Sequence, residues 1–278
     1  MIQDIGEHTF DNQYHPCPPD RESYALYYED HAALVRKYPD RIEFPKFRDI
    51  ERLNEDIYED AVYLFSIDGE RYYLVEEINR ERQSHFTMEN TEIFRYAEPQ
   101  YLAFAGITGY QLHNWYQSRR FCGKCGRRMK KDSKERMLYC ESCHNMEFPK
   151  ICPAVIIGVT DGDKILMSKY AGRTYKKYSL LAGFTEIGET LEETVQREVM
   201  EEVGLKVKNI RYYKSQPWSF TDTLLMGFYC DLDGEAAITL DREELAMAEW
   251  FQRDEIPVEP ERDSITNEMI IRFKNGEV

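Results

Sequence analysis

The sequence predicts an α/β protein, and three observations carry that prediction. Residues Ala61 to Glu76 alternate apolar and polar side chains around Asp68-Gly69, a dipeptide suited to the positive φ angles of a two-residue hairpin turn. The run Ala154-Val155-Ile156-Ile157-Gly158-Val159, the turn Asp161-Gly162-Asp163 and the run Ile165-Leu166-Met167 give a second hairpin whose first strand is apolar throughout. Further on, Leu191, Val195, Val199 and Val203 recur at four-residue spacing, the stripe of an amphipathic helix.

Taken from the start, residues 1–20 are polar and contain proline, and they have no apolar run of signal-peptide or membrane-anchor length. This predicts a flexible leading stretch of a cytoplasmic protein with no membrane partner. After the first hairpin, Leu102, Phe104, Ala105, Tyr110, Leu112 and Trp115 are spaced loosely like a helix, although Gly106 and Gly109 weaken that reading. A short, aliphatic-poor segment with two cysteine pairs follows, so boundaries fall at 1–118, 119–150 and 151–278. The last part continues past the second hairpin with the long helix. Strands near Ile210 to Lys214 and Thr223 to Asp231 come next, then a final amphipathic helix near Ser264 to Phe273.

The 278 residues include 36 basic and 51 acidic side chains, a net charge of −15, which excludes a surface basic enough to grip nucleic acid everywhere. The average hides a reversal. Arg119, Arg120, Lys124, Arg127, Arg128, Lys130, Lys131, Lys134 and Arg136 stand against only Asp132 and Glu135, so this segment is +7 and the remainder −22. Such side chains either solubilise a small module or form a track for single-stranded nucleic acid.

Cys122-x2-Cys125 and Cys140-x2-Cys143, fourteen residues apart, have the spacing of a four-cysteine zinc ribbon, and one structural Zn²⁺ per chain is expected. Seven cysteines and no export signal favour metal over disulfides. Cys17, Cys152 and Cys230 read as packed thiols, and His144 as a bystander beside Cys143.

Thr190 with Glu193 forms a capping box, and Gly204 occupies the left-handed C-terminal position, so the helix is bounded at both ends. Glu198, Glu201 and Glu202, at i, i+3 and i+4, then crowd one area. Like charges at that spacing cost a few tenths of a kcal/mol per pair unless a hard cation such as Mg²⁺ binds. Read alone, the cluster is equally a solvated acidic face.

The full string Gly183-x5-Glu189-x7-Arg197-Glu198-Val199-x-Glu201-Glu202-x-Gly204-Leu205 resembles the signature of the Nudix hydrolases. That resemblance implies an α/β/α sandwich, here preceded by a zinc ribbon and an N-terminal α+β domain. It also implies a diphosphate substrate bridged by Mg²⁺ or Mn²⁺ to Glu198, Glu201, Glu202, Glu244 and the carbonyl of Ala182. Glu189 and Arg197 would brace the loop, with Gly183 and Gly204 structural. Glu202 is the first choice for activating water and Glu201 its rival; Glu243 competes with Glu244.

The ribbon, the signature and the stretch Ser215-Gln216-Pro217-Trp218-Ser219-Phe220 together resemble the NADH pyrophosphatase subfamily, although that subfamily typically has proline in place of Ser219 and Thr221. By position, Gln216, Pro217, Trp218, Ser219, Phe220 and Thr266 would contact substrate, and Phe148 and Phe184 would stack on a ring. The implied reaction cleaves NADH or NAD⁺ to AMP and the nicotinamide mononucleotide. Removal of NAD caps from RNA 5′ ends and a homodimeric state are implied too. Another Nudix substrate such as ADP-ribose, or a nucleic-acid-binding regulator on the same fold, is the alternative.

Overall fold

A computed structural model describes residues 1–54, 56–79, 85–172, 177–262 and 264–278. Contacts divide the chain into two compact units: Ile2–Lys150 with Ser219–Thr221, and Met1 with Ile151–Trp218 and Asp222–Val278.

The first unit contains strands β1 (Phe10–Asp11), β2 (Tyr24–Glu29), β3 (Ala32–Lys37) and β4 (Ile42–Glu43), and a single turn α1 (Phe47–Ile50). These are followed by β5 (Val62–Ile67), β6 (Glu70–Val75), β7 (Thr87–Asn90) and the long helix α2 (Gln100–Ser118). The sheet runs β1-β5-β6-β2-β3-β4, with β7 also paired to β3. The β5–β6 hairpin turns at Asp68 and Gly69, both at positive φ, as the dipeptide predicts.

The glycines that weakened the reading of α2 are where neighbouring elements approach it closely. A Cβ on Gly106 would sit 2.5 Å from the Phe94 ring, and one on Gly109 would sit 2.5 Å from Leu26. The Tyr28 hydroxyl uses the same clearance to donate to the Gly106 carbonyl at 2.6 Å. Tertiary packing overrides the local helix cost of glycine here.

The expectation of a flexible leading stretch is corrected. Phe10 pairs with Ile67 and packs its ring between Phe65 and Phe104, while Cys17 Sγ lies 3.3 Å from the Tyr73 hydroxyl. These contacts pin the stretch to the sheet at Phe10 and Cys17, although most of its side chains stay exposed. The cysteine segment forms the small sheet β8 (Lys130–Lys131), β9 (Leu138–Tyr139) and β10 (Met146–Glu147). Its buried Cys122, Met129, Leu138 and Cys140 join the same core as the larger sheet.

The second unit is built on β11 (Cys152–Asp161), β12 (Lys164–Tyr170) and β13 (Leu181–Phe184), followed by α3 (Leu191–Val203). Then come β14 (Val207–Trp218), β15 (Thr223–Leu232), β16 (Leu245–Gln252) and α4 (Ile265–Lys274). Strand order is β14-β15-β11-β12-β16 with β13 paired to β11, and β11 and β15 run parallel. Alternation along β11 sorts the two faces. Val155, Ile157 and Val159 pack with Val195, Val199 and Val203 of α3, whereas Ile156 packs with Ile265, Met269 and Phe273 of α4. The result is an α/β/α sandwich. Each fully buried α3 valine contributes about 1.5–3 kcal/mol through its removal from water. β14 runs on through Trp218, so Ser215 to Trp218 continue the strand expected near Ile210 to Lys214.

Candidate active site and metal centre

The carboxylate helix is held as its end signals predict. Thr190 accepts the Glu193 N–H at 3.2 Å and Glu193 accepts that of Thr190 at 2.8 Å, while Gly204 at φ 69° donates to the Met200 carbonyl. Packing of the valine stripe then sorts the three glutamates. Glu198 and Glu202 are 8% and 2% exposed, beside the stripe, whereas the Glu201 side chain is 58% exposed.

Arg197 ties these groups together. Its Nε and Nη2 donate to the two oxygens of Glu189 at 2.6 and 3.0 Å, a bidentate pair. Nη1 donates to Glu198 at 2.7 Å and to Glu201 at 2.8 Å, and Nη2 also reaches the Phe184 carbonyl at 2.9 Å. The Arg197 guanidinium, with the Glu186 N–H, brings the Glu189 carboxyl down to about 2. Thr194, which the sequence reading passed over, is fully buried and donates to Glu189 at 3.0 Å. Its one local signal is a threonine set on the buried side of a helix.

Glu198 is shifted the other way. Burial raises its pKa, opposed by Arg197 and helped by the charges of Glu201 and Glu244. Glu244 is exposed but belongs to a segment tied to the helix end, since Thr239 N–H donates to Val203 and Asp241 N–H to the Glu202 carbonyl, at 2.8 and 2.9 Å. Its own carbonyl accepts the Ala171 N–H at 2.8 Å. Glu243, its exposed neighbour, turns its N–H to the Asp241 carboxylate at 2.8 Å.

Gly183 faces Val155 across the sheet, and a Cβ there would fall 1.9 Å from the Glu198 carboxyl carbon. Glycine is therefore what makes room for this carboxylate above the strand. Ala182 pairs with Ile156 and turns its side chain to the α4 side. Buried Glu198 and Glu202 with nearby Glu244 make an oxygen donor set suited to a hard divalent cation. The carboxylates are more dispersed than the thiols: among the described residues, only the four cysteines form a set of three or more candidate ligands with donor atoms all within 4.8 Å.

The cysteine site has the dimensions of zinc. Cys122 and Cys143 Sγ lie 3.5 Å apart and Cys125 and Cys140 3.4 Å apart. A tetrahedron with Zn–S of about 2.3 Å needs edges of about 3.8 Å. The two knuckles repeat one geometry, with Gly126 N–H donating to Cys122 and His144 N–H to Cys140, both at 2.8 Å and both from positive-φ residues. His144 thus fills the turn position that Gly126 fills in the other knuckle. Backbone N–H groups of Cys143 and Ser142 bring the Cys140 thiol down to about 7, whereas burial and the neighbouring thiols push Cys143 up to about 12.

Of the expected substrate contacts, Phe184, Gln216, Pro217, Trp218 and Thr266 lie in the second unit, and Phe148, Ser219 and Phe220 in the first. Phe184 and Phe148 are exposed. Trp218 is half-buried opposite Thr223, and exposed Pro217 is opposite Leu224. Gln216 is fully buried, and its side-chain oxygen accepts the Ile265 N–H at 2.7 Å, which fixes the first turn of α4. Thr266 lies in that turn and donates its N–H to Ser264 at 3.2 Å. Ser219 is buried, and the Phe220 ring lies 4.3 Å from the Arg95 guanidinium.

Comparison with known proteins adds the following. Residues 150–273 match the NUDIX domain family and residues 117–148 the NADH pyrophosphatase zinc ribbon domain. The chain is similar to the NAD-capped RNA hydrolase NudC of Photorhabdus laumondii, with 41% identity over 162 residues, 58% of this chain and 63% of that protein. The protein of the same name from Klebsiella pneumoniae is 40% identical over 163 residues, with the same coverage of each chain. The match thus spans about 63% of the length of these relatives. No helix among the described residues is long and apolar enough to cross a membrane.

Proposed function

The chain carries a NUDIX domain behind an NADH pyrophosphatase zinc ribbon, and from that premise we propose that it hydrolyses the diphosphate of NADH or NAD⁺ to AMP and NMNH or NMN. The same reaction removes an NAD cap from an RNA 5′ end and leaves a monophosphate. The observation that carries the reading is the pair of buried helix carboxylates, Glu202 and Glu198, with Glu198 set beside Gly183 and fixed by Arg197.

A diphosphate resists hydrolysis because its charge repels hydroxide, and Mg²⁺ or Mn²⁺ on its oxygens supplies the compensation. Glu198, Glu201, Glu202, Glu244 and the carbonyl of Ala182 are the proposed holders of that ion. Glu202 takes the proton from the attacking water, with Glu201 its rival; the new bond forms at phosphorus and the bridging oxygen leaves with its electron pair. Arg197, by holding Glu198, Glu201 and the Phe184 carbonyl together, keeps the carboxylates oriented at each turnover. Phe184, Trp218 and Thr266 are the proposed substrate contacts within the second unit. Gln216 and Pro217 position them through β14 and the first turn of α4.

We place the protein as a cytoplasmic homodimer, with a structural Zn²⁺ in the ribbon of each chain. The proposed division is an N-terminal domain over 1–118, the ribbon over 119–150 and the hydrolase domain over 151–278. Turnover of NADH, ADP-ribose and an NAD-capped RNA, with products resolved by chromatography, tests the substrate assignment. The reading expects AMP and NMNH from NADH. Cleavage of ADP-ribose alone overturns it.

A further inference from the structure

The nine basic side chains of the ribbon segment are not equivalent. Arg119, Lys130 and Lys131 are paired with Glu147, Glu141 and Glu76 at 3.7, 2.7 and 2.8 Å, and Arg136 is directed at the backbone carbonyls of Leu64 and Asn12. Arg120, Lys124 and Arg128 are exposed and, among the described residues, have no acid within ion-pair distance. Arg127 donates only to the neutral Ser142 hydroxyl. On a chain of net charge −15 this is a concentration of uncompensated positive charge, and it sits on the first knuckle, Cys122 to Cys125, and the residues of the bridge that flanks it.

The same knuckle exposes an aromatic ring. Phe121 is 64% exposed and lies directly opposite Arg128 across an antiparallel bridge, closed on either side by Cys122 N–H to Arg127 at 2.7 Å and Met129 N–H to Arg120 at 2.9 Å. Residues opposite one another in such a bridge project from the same face. The ring and the guanidinium are therefore presented together to solvent, with Lys124 in the adjoining turn. Solubility alone explains the charges but not a large exposed ring placed among them.

We propose that this face of the first zinc knuckle binds the body of a single-stranded RNA substrate. A base stacks on Phe121 while Arg128, Lys124 and Arg120 contact backbone phosphates, the combination of stacking platform and cation track that single strands require. The inference rests on the reading of NAD-capped RNA as a substrate and gives the ribbon a second role beside its zinc. None of the four residues belongs to the proposed hydrolytic machinery.

The test is fluorescence anisotropy of a short, uncapped, 5′-monophosphorylated single-stranded RNA over a salt series, with NADH turnover and zinc content measured on the same preparations. Lys124→Gln with Arg128→Gln should weaken binding at least tenfold and flatten the log-log salt dependence by about 1.4, from about 0.7 per lost single-strand contact. Phe121→Ala should weaken binding roughly 5- to 150-fold with the slope unchanged, the cost of one lost stack. Zinc content and NADH turnover should stay at the wild-type level, which separates loss of the surface from loss of the fold. Variants that bind RNA as wild type does overturn the inference, as does a Phe121→Ala variant that changes sedimentation but not RNA affinity, since the face would then join copies of the chain. A wild type that cleaves NADH yet binds no RNA also overturns it and leaves the hydrolase reading intact. A wild type inert on every dinucleotide that still binds RNA through these residues keeps the surface and ends the hydrolase reading.

Discussion

The carboxylate of Glu198 occupies the space beside Gly183 that any side chain would claim, with its carbon 1.9 Å from where a Cβ would stand. Strand and helix meet here at a distance only glycine permits. Gly183→Ala must therefore push Glu198 aside. We expect a loss of turnover of about 100-fold, the scale of a misplacement of about 1 Å at a reacting centre. Metal dependence should shift to higher Mg²⁺ concentration, and kinetics against Mg²⁺ check both.

Glu189 is held ionised by Arg197, with its pKa down at about 2 against an ordinary value of 4.5. A depressed folded-state pKa gives stability that is present above the ordinary value and disappears as pH falls through the lowered one. Glu189→Gln should accordingly melt below wild type at pH 7, and the gap should close between about pH 4.5 and pH 2. Melting curves across that range decide it. A gap that widens on acidification contradicts the pairing as drawn.

The ribbon thiols are expected to bind one Zn²⁺ per chain. Cys122 and Cys140 lie in the core that the ribbon shares with the N-terminal sheet, so losing the metal loosens more than a surface loop. Cys140→Ser should lower zinc content well below one per chain and reduce the melting temperature by several degrees, measured by atomic absorption and calorimetry. Full zinc occupancy in that variant rules out the four-thiolate site.

Gln216 separates two roles. Its oxygen caps α4 through the Ile265 N–H at 2.7 Å with no exposure to solvent. Gln216→Ala leaves that donor buried and unmet, at a cost of about 1–3 kcal/mol. Urea unfolding should show the loss together with a raised KM, since Thr266 lies in the same turn. A raised KM with unchanged stability returns Gln216 to direct substrate contact.

Much of this was legible because its causes are local. The capping box of Thr190 and Glu193, the left-handed Gly204 and the hairpin at Asp68-Gly69 are set by neighbours a few residues apart. The paired cysteines carry their geometry in their spacing. The division of the three glutamates was less legible. A helix advances about 100° per residue, so Glu201 lies that far around from Glu202 and leaves the buried edge, although i, i+3 and i+4 read as one cluster. Gly106 and Gly109 misled for the opposite reason, because what they accommodate, Phe94 and Leu26, is distant in sequence or in another element. Nothing near Gln216 announces a partner at Ile265, and the aromatic contacts that hold Phe10 and Cys17 form only once β5, β6 and α2 have assembled.

The central claim is that Glu202, buried at 2% exposure on α3, serves a metal-dependent attack on the diphosphate of a nicotinamide dinucleotide. NADH hydrolysis by wild type beside Glu202→Gln, with Mg²⁺ or Mn²⁺ added or chelated, tests it most directly. We expect AMP and NMNH from wild type only when metal is present, and a rate lower by orders of magnitude in the variant with its fold and zinc intact. Equal rates in the two proteins, or hydrolysis indifferent to divalent metal, would contradict it.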